Sequence, residues 1–151
     1  MKNKLGVVLV ALIFSFSSFA YLLSIGGNEE VNLNIAPYTN KPLKQSDIMK
    51  ILRKDDVFIM YVWSFDCENC EEYENELINL MEKFNGRVYL NSLNTYYYPD
   101  IPILDIPYLK IIGRNGEKEF KITLPNATEL EENICSLFEN MPEICNKILK
   151  Q

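Results

Sequence analysis

The middle of the chain passes from an uninterrupted apolar run to a segment with helical periodicity. The seven residues from Val57 to Trp63 are all apolar or aromatic and rich in β-formers, which is typical of a strand buried on both faces. In the next segment apolar residues recur every three or four positions between glutamates, which predicts an amphipathic helix. Its inward positions are Cys70, Tyr73, Leu77, Leu80, Met81 and Phe84. Asn85-Gly86 closes the helix and residues 88–93 form the next strand, so this order predicts a parallel pair.

Weaker patterns precede and follow this unit. Alternating apolar residues at 31–35 predict a short first strand that Pro37 ends. Ser46 is expected to cap a helix that runs to the charged residues 53–56. Residues 95–106 carry prolines and three consecutive tyrosines, which favours a loop or a broken helix.

The C-terminal third predicts a hairpin and a helix. Residues 108–112 and 119–122 flank the turn signal Asn115-Gly116, so we expect two antiparallel strands. A final helix begins after residues 126–128, and Pro142 breaks it before an apolar continuation. The whole pattern predicts one α/β domain over residues 28–151. A mixed sheet of four to five strands lies between helices, and a helical extension begins at about residue 139.

Residues 1–27 differ from the rest and are predicted to be a signal or transmembrane anchor helix. Two lysines lie within residues 1–4, and the 21 residues from Leu5 to Ile25 carry no charge. This length is sufficient for a hydrocarbon core of roughly 30 Å. The charge order places the following domain outside the cytoplasm by the positive-inside rule. The alternative is a secreted protein, because Ser18-Phe19-Ala20 offers a weak cleavage site.

Composition excludes several functional classes. The net charge of −6 gives no general attraction for phosphate backbones, so nucleic acid is not an expected partner. The chain contains no histidine. Catalytic sets built on histidine, zinc sites with a histidine ligand and haem with a histidine axial ligand are therefore excluded.

Cys67 and Cys70 lie three residues apart where the buried strand passes into the helix. Cys70 shares the inward helical phase, whereas Cys67 is expected at the helix start, where it can meet solvent and free backbone N–H groups. This difference favours Cys67 as the attacking thiol and Cys70 as the resolving thiol. Two alternatives stay open. One is a four-thiolate zinc site that recruits Cys135 and Cys145, and the other is a purely structural disulfide.

Several separate segments of the chain resemble the thioredoxin family over roughly residues 31–138. The segment from Trp63 to Cys70 resembles that family's active-site segment, and residues 106–109 with Asn115-Gly116-Glu117 resemble its proline turn and terminal hairpin. The resemblance implies a thioredoxin-like fold in which Pro107 is a cis-proline facing the disulfide. It also implies that the Ile106 backbone pairs with an extended substrate chain. Trp63 and Asp66 are expected to border the same substrate.

The chain departs from the family pattern around the cysteines. Asp66 stands where an aromatic residue is usual, Glu68-Asn69 replaces Gly-Pro, and Tyr61 occupies the position of a buried acid. Asp66 and the nearby glutamates should disfavour the Cys67 thiolate, which gives a less oxidising couple. We therefore expect reduction of protein disulfides, with an upstream dithiol donor and no cofactor or metal besides the Cys67–Cys70 disulfide. The alternatives are an oxidase or isomerase, and a non-catalytic peptide-binding module.

Three further features carry open alternatives. Cys135 and Cys145 are candidates for a structural disulfide that staples the C-terminal extension, or for a second redox pair. Tyr96 to Tyr98 could form an aromatic platform for substrate or pack over a sheet edge. Asn126-Ala127-Thr128 is both a glycosylation sequon and a helix-capping sequence, and the cap is the favoured interpretation.

Overall fold

The structure of the protein is a computed structural model that describes residues 34–103 and 105–150. The predicted anchor over residues 1–27 and the first part of the predicted strand at 31–35 lie outside the described residues. Within the two described ranges, no helix is both long enough and apolar enough to cross a membrane.

Five strands form one mixed sheet in the order β1-β3-β2-β4-β5. The strands are β1 (Tyr38–Thr39), β2 (Val57–Trp63), β3 (Val88–Asn94), β4 (Tyr108–Gly113) and β5 (Gly116–Lys121). The β1/β3 and β3/β2 pairs are parallel, whereas β4 runs antiparallel to both β2 and β5. The predicted mixed sheet, the parallel pair and the hairpin are therefore confirmed.

Helices cover both faces of the sheet. They are α1 (Gln45–Arg53), α2 (Cys70–Lys83), α3 (Ala127–Leu137) and α4 (Glu143–Ile148). All residues of β2 are buried. The side chains of Val57, Ile59, Tyr61 and Trp63 pack in the core shared with α2 and α3, and those between them pack against α1. Burial of both faces explains the uninterrupted apolar run.

The end of the first strand, at residues 34 and 35, and the first helix cap were predicted wrongly. Residues 34–36 are not in a strand, and β1 begins only after Pro37. The carbonyl oxygen of Pro37 accepts a hydrogen bond from the Leu90 N–H at 2.7 Å. Proline has no backbone N–H to donate, and at the edge of a sheet none is required. Helix α1 begins before Ser46 rather than at it, and its first backbone bonds go to the Lys44 carbonyl without a side-chain cap.

Two details at the C-terminal side define the turns. The hairpin turns one residue earlier than predicted, because Gly113 pairs with Gly116 and leaves Arg114 and Asn115 at the tip. The favoured cap at the start of α3 is confirmed, since the Asn126 side chain accepts from the Glu129 N–H at 3.0 Å.

Candidate active site

The site lies where β2 ends and α2 begins. Cys67 and Cys70 form a disulfide with their Cα atoms 5.6 Å apart. Cys70 is buried at 2% exposure and belongs to the core, whereas Cys67 is half-buried at the surface. The two sulfur atoms therefore differ in access, because a molecule arriving from solvent can meet Cys67 but not Cys70.

The sequence predicted that Cys67 lies at the helix start, and this prediction is wrong, because the helix begins at Cys70. Asn69 has a φ of 64°, in the left-handed region, and the first helical residue is Cys70. Asn tolerates this conformation better than most residues, but it cannot continue a right-handed helix. Cys67 consequently lies in a turn, held by a bond from its N–H to the Ser64 carbonyl at 3.1 Å. The stabilising end of the helix dipole acts mainly on its own first turn and is weaker at this distance.

Trp63 lines the depression beside the disulfide, and Pro107 lies at the same end of β2. The indole N–H of Trp63 donates to the Ser92 hydroxyl at 3.0 Å, which fixes the ring. The Ile106–Pro107 bond is cis. Val62 pairs with Tyr108, so the β2/β4 register brings Pro107 beside the end of β2. Ile106 and Pro107 are both half-buried and therefore partly accessible.

Four acidic residues lie close to Cys67 in the sequence, and two of them line the depression beside it. Asp66, Glu68, Glu71 and Glu72 are all exposed. A depression of about 220 Å³ beside Cys67 is lined by Glu71 and Glu72 and carries no basic side chain. Two of the acids that the sequence places near Cys67, Glu71 and Glu72, therefore lie beside it in the fold.

Tyr61 lies beneath the disulfide on β2. Its hydroxyl donates to the carbonyl oxygen of Cys70 at 3.0 Å. Burial raises the pKa of Tyr61 well above its ordinary value, and the neighbouring Tyr73 and Glu74 act in the same direction. Tyr61 is therefore a neutral hydrogen-bond donor at physiological pH and cannot accept the Cys70 proton.

The three consecutive tyrosines differ in burial. Tyr98 is half-buried against the core on the α1 side of the sheet. Tyr96 and Tyr97 are 73% and 65% exposed and cluster with Phe65, which is itself 58% exposed. The ring centroid of Phe65 lies 5.8 Å from that of Tyr96 and 6.2 Å from that of Tyr97. Sequence reasoning missed Phe65, although its position two residues before Cys67 was a usable signal.

The other two cysteines are bonded to each other. Cys135 and Cys145 join α3 to α4, with Cα atoms 5.5 Å apart, and both are fully buried. With all four cysteines in disulfides, the sulfur atoms of this structure do not form a four-thiolate zinc site.

Comparison with known proteins identifies the fold of the chain. No protein-family model matches the chain, and a search of curated proteins found no match. Among solved structures, a mutant thioredoxin from Halobacterium salinarum matches with a TM-score of 0.50 and 16% identity, over 70% of this chain and 92% of that one. The chain has a thioredoxin-like fold.

Other thioredoxins are also similar to this thioredoxin-like chain. The thioredoxin of Fasciola hepatica matches with a TM-score of 0.44 and 15% identity, over 61% of this chain and 92% of that one. Chloroplastic thioredoxin z matches with a TM-score of 0.46 and 15% identity, over 72% of this chain and 93% of that one. At these identities the likeness concerns the fold.

Proposed function

We propose that the protein is a thiol–disulfide oxidoreductase in which Cys67 is the nucleophile and Cys70 the resolving thiol. The observation that carries this proposal is the asymmetry of one disulfide, whose two sulfur atoms differ in access at the end of the central strand. Thiol–disulfide exchange needs one accessible thiol to attack and a second, protected thiol to complete the reaction. The protein meets both requirements without a cofactor.

The proposed reaction moves two electrons from the protein to its substrate. In the reduced protein, the Cys67 thiolate attacks one sulfur of a substrate disulfide, and the other substrate sulfur leaves as a thiolate. The Cys70 thiolate then attacks the Cys67 sulfur of the mixed disulfide, which forms the Cys67–Cys70 bond and releases the second substrate sulfur as a thiolate. An upstream protein dithiol reduces the Cys67–Cys70 bond again and is itself oxidised.

Reduction of protein disulfides is the proposed direction, and two features support it. Exposed acids lie close to Cys67 and raise the free energy of its thiolate. Cys67 lies ahead of the first helical residue, so that the helix dipole stabilises its thiolate less. A dithiol whose thiolate is poorly stabilised is a better reductant.

We propose that an extended segment of the substrate lies along Ile106 and Pro107 and passes Trp63 and Asp66. The Ile106–Pro107 pair supports this path, because both residues are partly exposed beside the end of β2. Main-chain pairing of this kind binds a segment without demanding a particular sequence.

The mechanism is tested by trapping. A Cys70→Ser variant should accumulate a mixed disulfide with a peptide disulfide through Cys67, because the resolving thiol is absent. A Cys67→Ser variant is the matched control and should trap nothing, since Cys70 is buried. Mass spectrometry under non-reducing conditions measures both. Failure of Cys70→Ser to trap any peptide would favour a non-catalytic peptide-binding module instead.

The direction is tested by the reduction potential. Equilibration with thiol–disulfide buffers, followed by alkylation and mass spectrometry, separates the Cys67–Cys70 pair from the Cys135–Cys145 pair. We expect a value near the thioredoxin potential of roughly −270 mV rather than the roughly −120 mV of a strong oxidase. A value close to the latter would reverse the direction and leave the exchange chemistry intact.

We further propose that the domain is tethered to a membrane on the extracytoplasmic side. The support is the sequence of residues 1–27, with lysines before a long uncharged segment. Fractionation of cells that express the full chain tests the tether. Recovery of a protein that lacks these residues from the soluble extracytoplasmic fraction would show that the segment is a cleaved signal.

A further inference from the structure

Three exposed aromatic side chains lie together beside the accessible cysteine. They are Phe65, Tyr96 and Tyr97, and we call them the aromatic surface. The ring centroids of Tyr96 and Tyr97 are 5.2 Å apart, and Phe65 contacts both rings edge-on. Phe65 also lines the depression beside Cys67. Single exposed apolar side chains are usual on a protein, but a cluster of them beside a reactive group indicates contact with a partner.

The end of the sheet beneath the aromatic surface holds it in place. The ring of Phe65 meets that of Trp63 edge-on, with the centroids 5.5 Å apart. The backbone N–H of Tyr96 donates to the side-chain oxygen of Asn94 at 2.8 Å, and that of Tyr97 donates to the Asn94 carbonyl at 3.1 Å. An ordered surface of this kind loses less conformational entropy when a partner binds.

Acidic side chains give the neighbourhood of the aromatic surface a negative charge. Glu71 and Glu72 line the same depression as Phe65, and no basic side chain is part of its described lining. Asp66 and Glu68 are exposed in the turn that precedes α2. None of these four carboxylates forms an ion pair with a described residue. Their charge is therefore not neutralised within the described part of the chain, and it attracts cations to this end of the molecule.

A second cleft, of about 390 Å³, lies on the other side of Phe65 and does not share this charge. Trp63 and Phe65 line both the cleft and the depression, so the two are neighbours. Lys41 and Glu74, one of each sign, are the charged residues of the described cleft lining. Selection for a positive charge is therefore expected in the depression beside Cys67 and not in the cleft.

We propose that the aromatic surface and the neighbouring glutamates bind a positively charged side chain of the substrate segment, next to its reactive cysteine. The cation lies between the ring of Phe65 and the carboxylates of Glu71 and Glu72, and its methylene groups lie against the aromatic rings. Arginine suits both parts, because its planar guanidinium can lie against a ring and pair with a carboxylate. The inference rests on the proposed function, since it takes the ligand to be a protein chain that reacts at Cys67.

The test measures how fast peptides of different charge react with Cys67 in the Cys70→Ser variant. Each short peptide carries one cysteine as a pyridyl disulfide, with arginine, glutamine or glutamate at each flanking position in turn. Attack of the Cys67 thiolate on the peptide sulfur forms a mixed disulfide and expels pyridine-2-thione, whose absorbance gives the rate. At one position we expect arginine to react about tenfold faster than glutamine at low salt, and glutamate more slowly than either. One ion pair and one cation–π contact together correspond to about this factor.

Salt and three variants link the preference to the depression. Raising the ionic strength from about 0.01 M to about 1 M should reduce the arginine-to-glutamine ratio towards one, because it shortens the Debye length about tenfold. Glu71→Gln/Glu72→Gln, and separately Phe65→Leu, should each lower the ratio to about threefold, since one of the two contacts remains. Glu82→Gln/Glu132→Gln removes the same charge from exposed positions of α2 and α3, and it should leave the ratio unchanged. Near-ultraviolet circular dichroism checks the fold of each variant.

The ratio is independent of any change that a variant makes in the reactivity of the thiol, because both peptides react with the same sulfur. A ratio near one at every position overturns the inference and leaves the proposed function intact. Equal loss of the preference in the Glu82→Gln/Glu132→Gln control would assign it to net charge and also overturn the inference. A dimer of the wild-type chain at assay concentration that Phe65→Ser abolishes would assign the aromatic surface to a second copy, with the same consequence.

Absence of reaction with every peptide would overturn the proposed function instead. The inference is then decided without thiol chemistry, by peptides that carry serine in place of cysteine. Trp63 is the single tryptophan of the chain and lines the depression, so its fluorescence reports their binding. Tighter binding of the arginine peptide than of the glutamine peptide would support the inference, and equal binding or none up to millimolar peptide would overturn it.

Discussion

Tyr61 occupies a position at which a proton acceptor could act, but it serves as a hydrogen-bond donor. It lies under Cys70, where an acid would be able to take the thiol proton, yet burial keeps its hydroxyl protonated by raising its pKa. The group therefore holds the start of α2 in place through its bond to the Cys70 carbonyl.

Replacement of Tyr61 tests this assignment. Tyr61→Phe should lower the free energy of unfolding by about 1 kcal/mol, because one buried hydrogen bond is lost. The pH profile of thiol exchange between pH 6 and 9 should not change. Urea denaturation and stopped-flow kinetics measure the two effects. Tyr96→Phe, at an exposed ring, is the control for stability. A shift of the pH profile of thiol exchange in Tyr61→Phe would instead show that Tyr61 takes part in proton transfer.

Asp55 fixes the chain that follows α3. It has a φ of 61° and is 6% exposed. Its two carboxylate oxygens accept from the backbone N–H groups of Glu139 and Asn140, each at 2.7 Å. A buried carboxylate with two short backbone bonds is a strong local constraint.

Asp55→Asn should cost about 1–3 kcal/mol of unfolding free energy, because an amide replaces one of the two acceptors with a donor. Asn tolerates the left-handed backbone, so strain does not confuse the result. Asp47→Asn is the matched control and should change stability by less than about 0.5 kcal/mol, since its ion pair with Lys50 is at the surface. Equal midpoints in urea for the two variants would refute the anchoring role.

At the scale of elements, the Cys135–Cys145 bridge joins α3 to α4. Both sulfur atoms are fully buried, and both residues belong to the core shared with α2. This burial favours the structural interpretation over a second redox pair, because a reductant cannot reach the bond without opening the two helices.

The double variant Cys135→Ala/Cys145→Ala should lose about 2–3 kcal/mol of stability, as expected for a disulfide with a sequence separation of 10. Mild reduction of the folded wild-type protein should allow alkylation of Cys67 but of neither Cys135 nor Cys145, since the last two are fully buried. Thermal or urea unfolding measures the first effect and mass spectrometry the second. Equal labelling of all four cysteines in the folded protein would restore the second-redox-pair alternative.

The long elements could be predicted from the sequence, and the short ones could not. Strand β2 and helix α2 are long, and the faces that each one buries require a regular pattern of apolar residues. That pattern can be recognised in the sequence. Strand β1 has two residues and is defined only by pairing with β3, which no local pattern reports. The start of α2 depends on the left-handed backbone of Asn69, for which the sequence offered only a permissive residue type.

The candidate site was predictable to a similar degree. Cys67 and Cys70 were identified because their spacing and helical phase are local properties of the sequence. Phe65 was missed, because its contacts with Tyr96 and Tyr97 join two segments that lie far apart in the sequence.

At the scale of the whole molecule, buried tyrosines link stability to alkaline pH. Burial raises the pKa of several phenols above the ordinary value. They are Tyr38, Tyr61, Tyr73, Tyr89 and Tyr108. Above pH of about 10 the unfolded chain loses these protons while the folded chain keeps them. The unfolded state then binds fewer protons, so that stability must fall as the pH rises.

We expect the free energy of unfolding to be nearly constant from about pH 8 to 9 and to fall steadily from about pH 10 to 12. Urea denaturation at each pH provides the measurement. Tyr38→Phe should reduce the slope in this window, since the pKa of Tyr38 is raised to about 12. Tyr96→Phe is the exposed control and should leave the slope unchanged. A flat profile across the whole window would contradict the link.

The two outer strands of the sheet have a consequence for behaviour at high concentration. Strand β1 offers only two residues, and β5 is almost entirely exposed and carries alternating Glu and Lys side chains. Neither edge is a long, flat, apolar template on which a second chain could add a strand. Copies of this domain at high concentration should therefore resist edge-to-edge aggregation. Contacts between copies are expected through exposed side chains instead, such as those around Phe65.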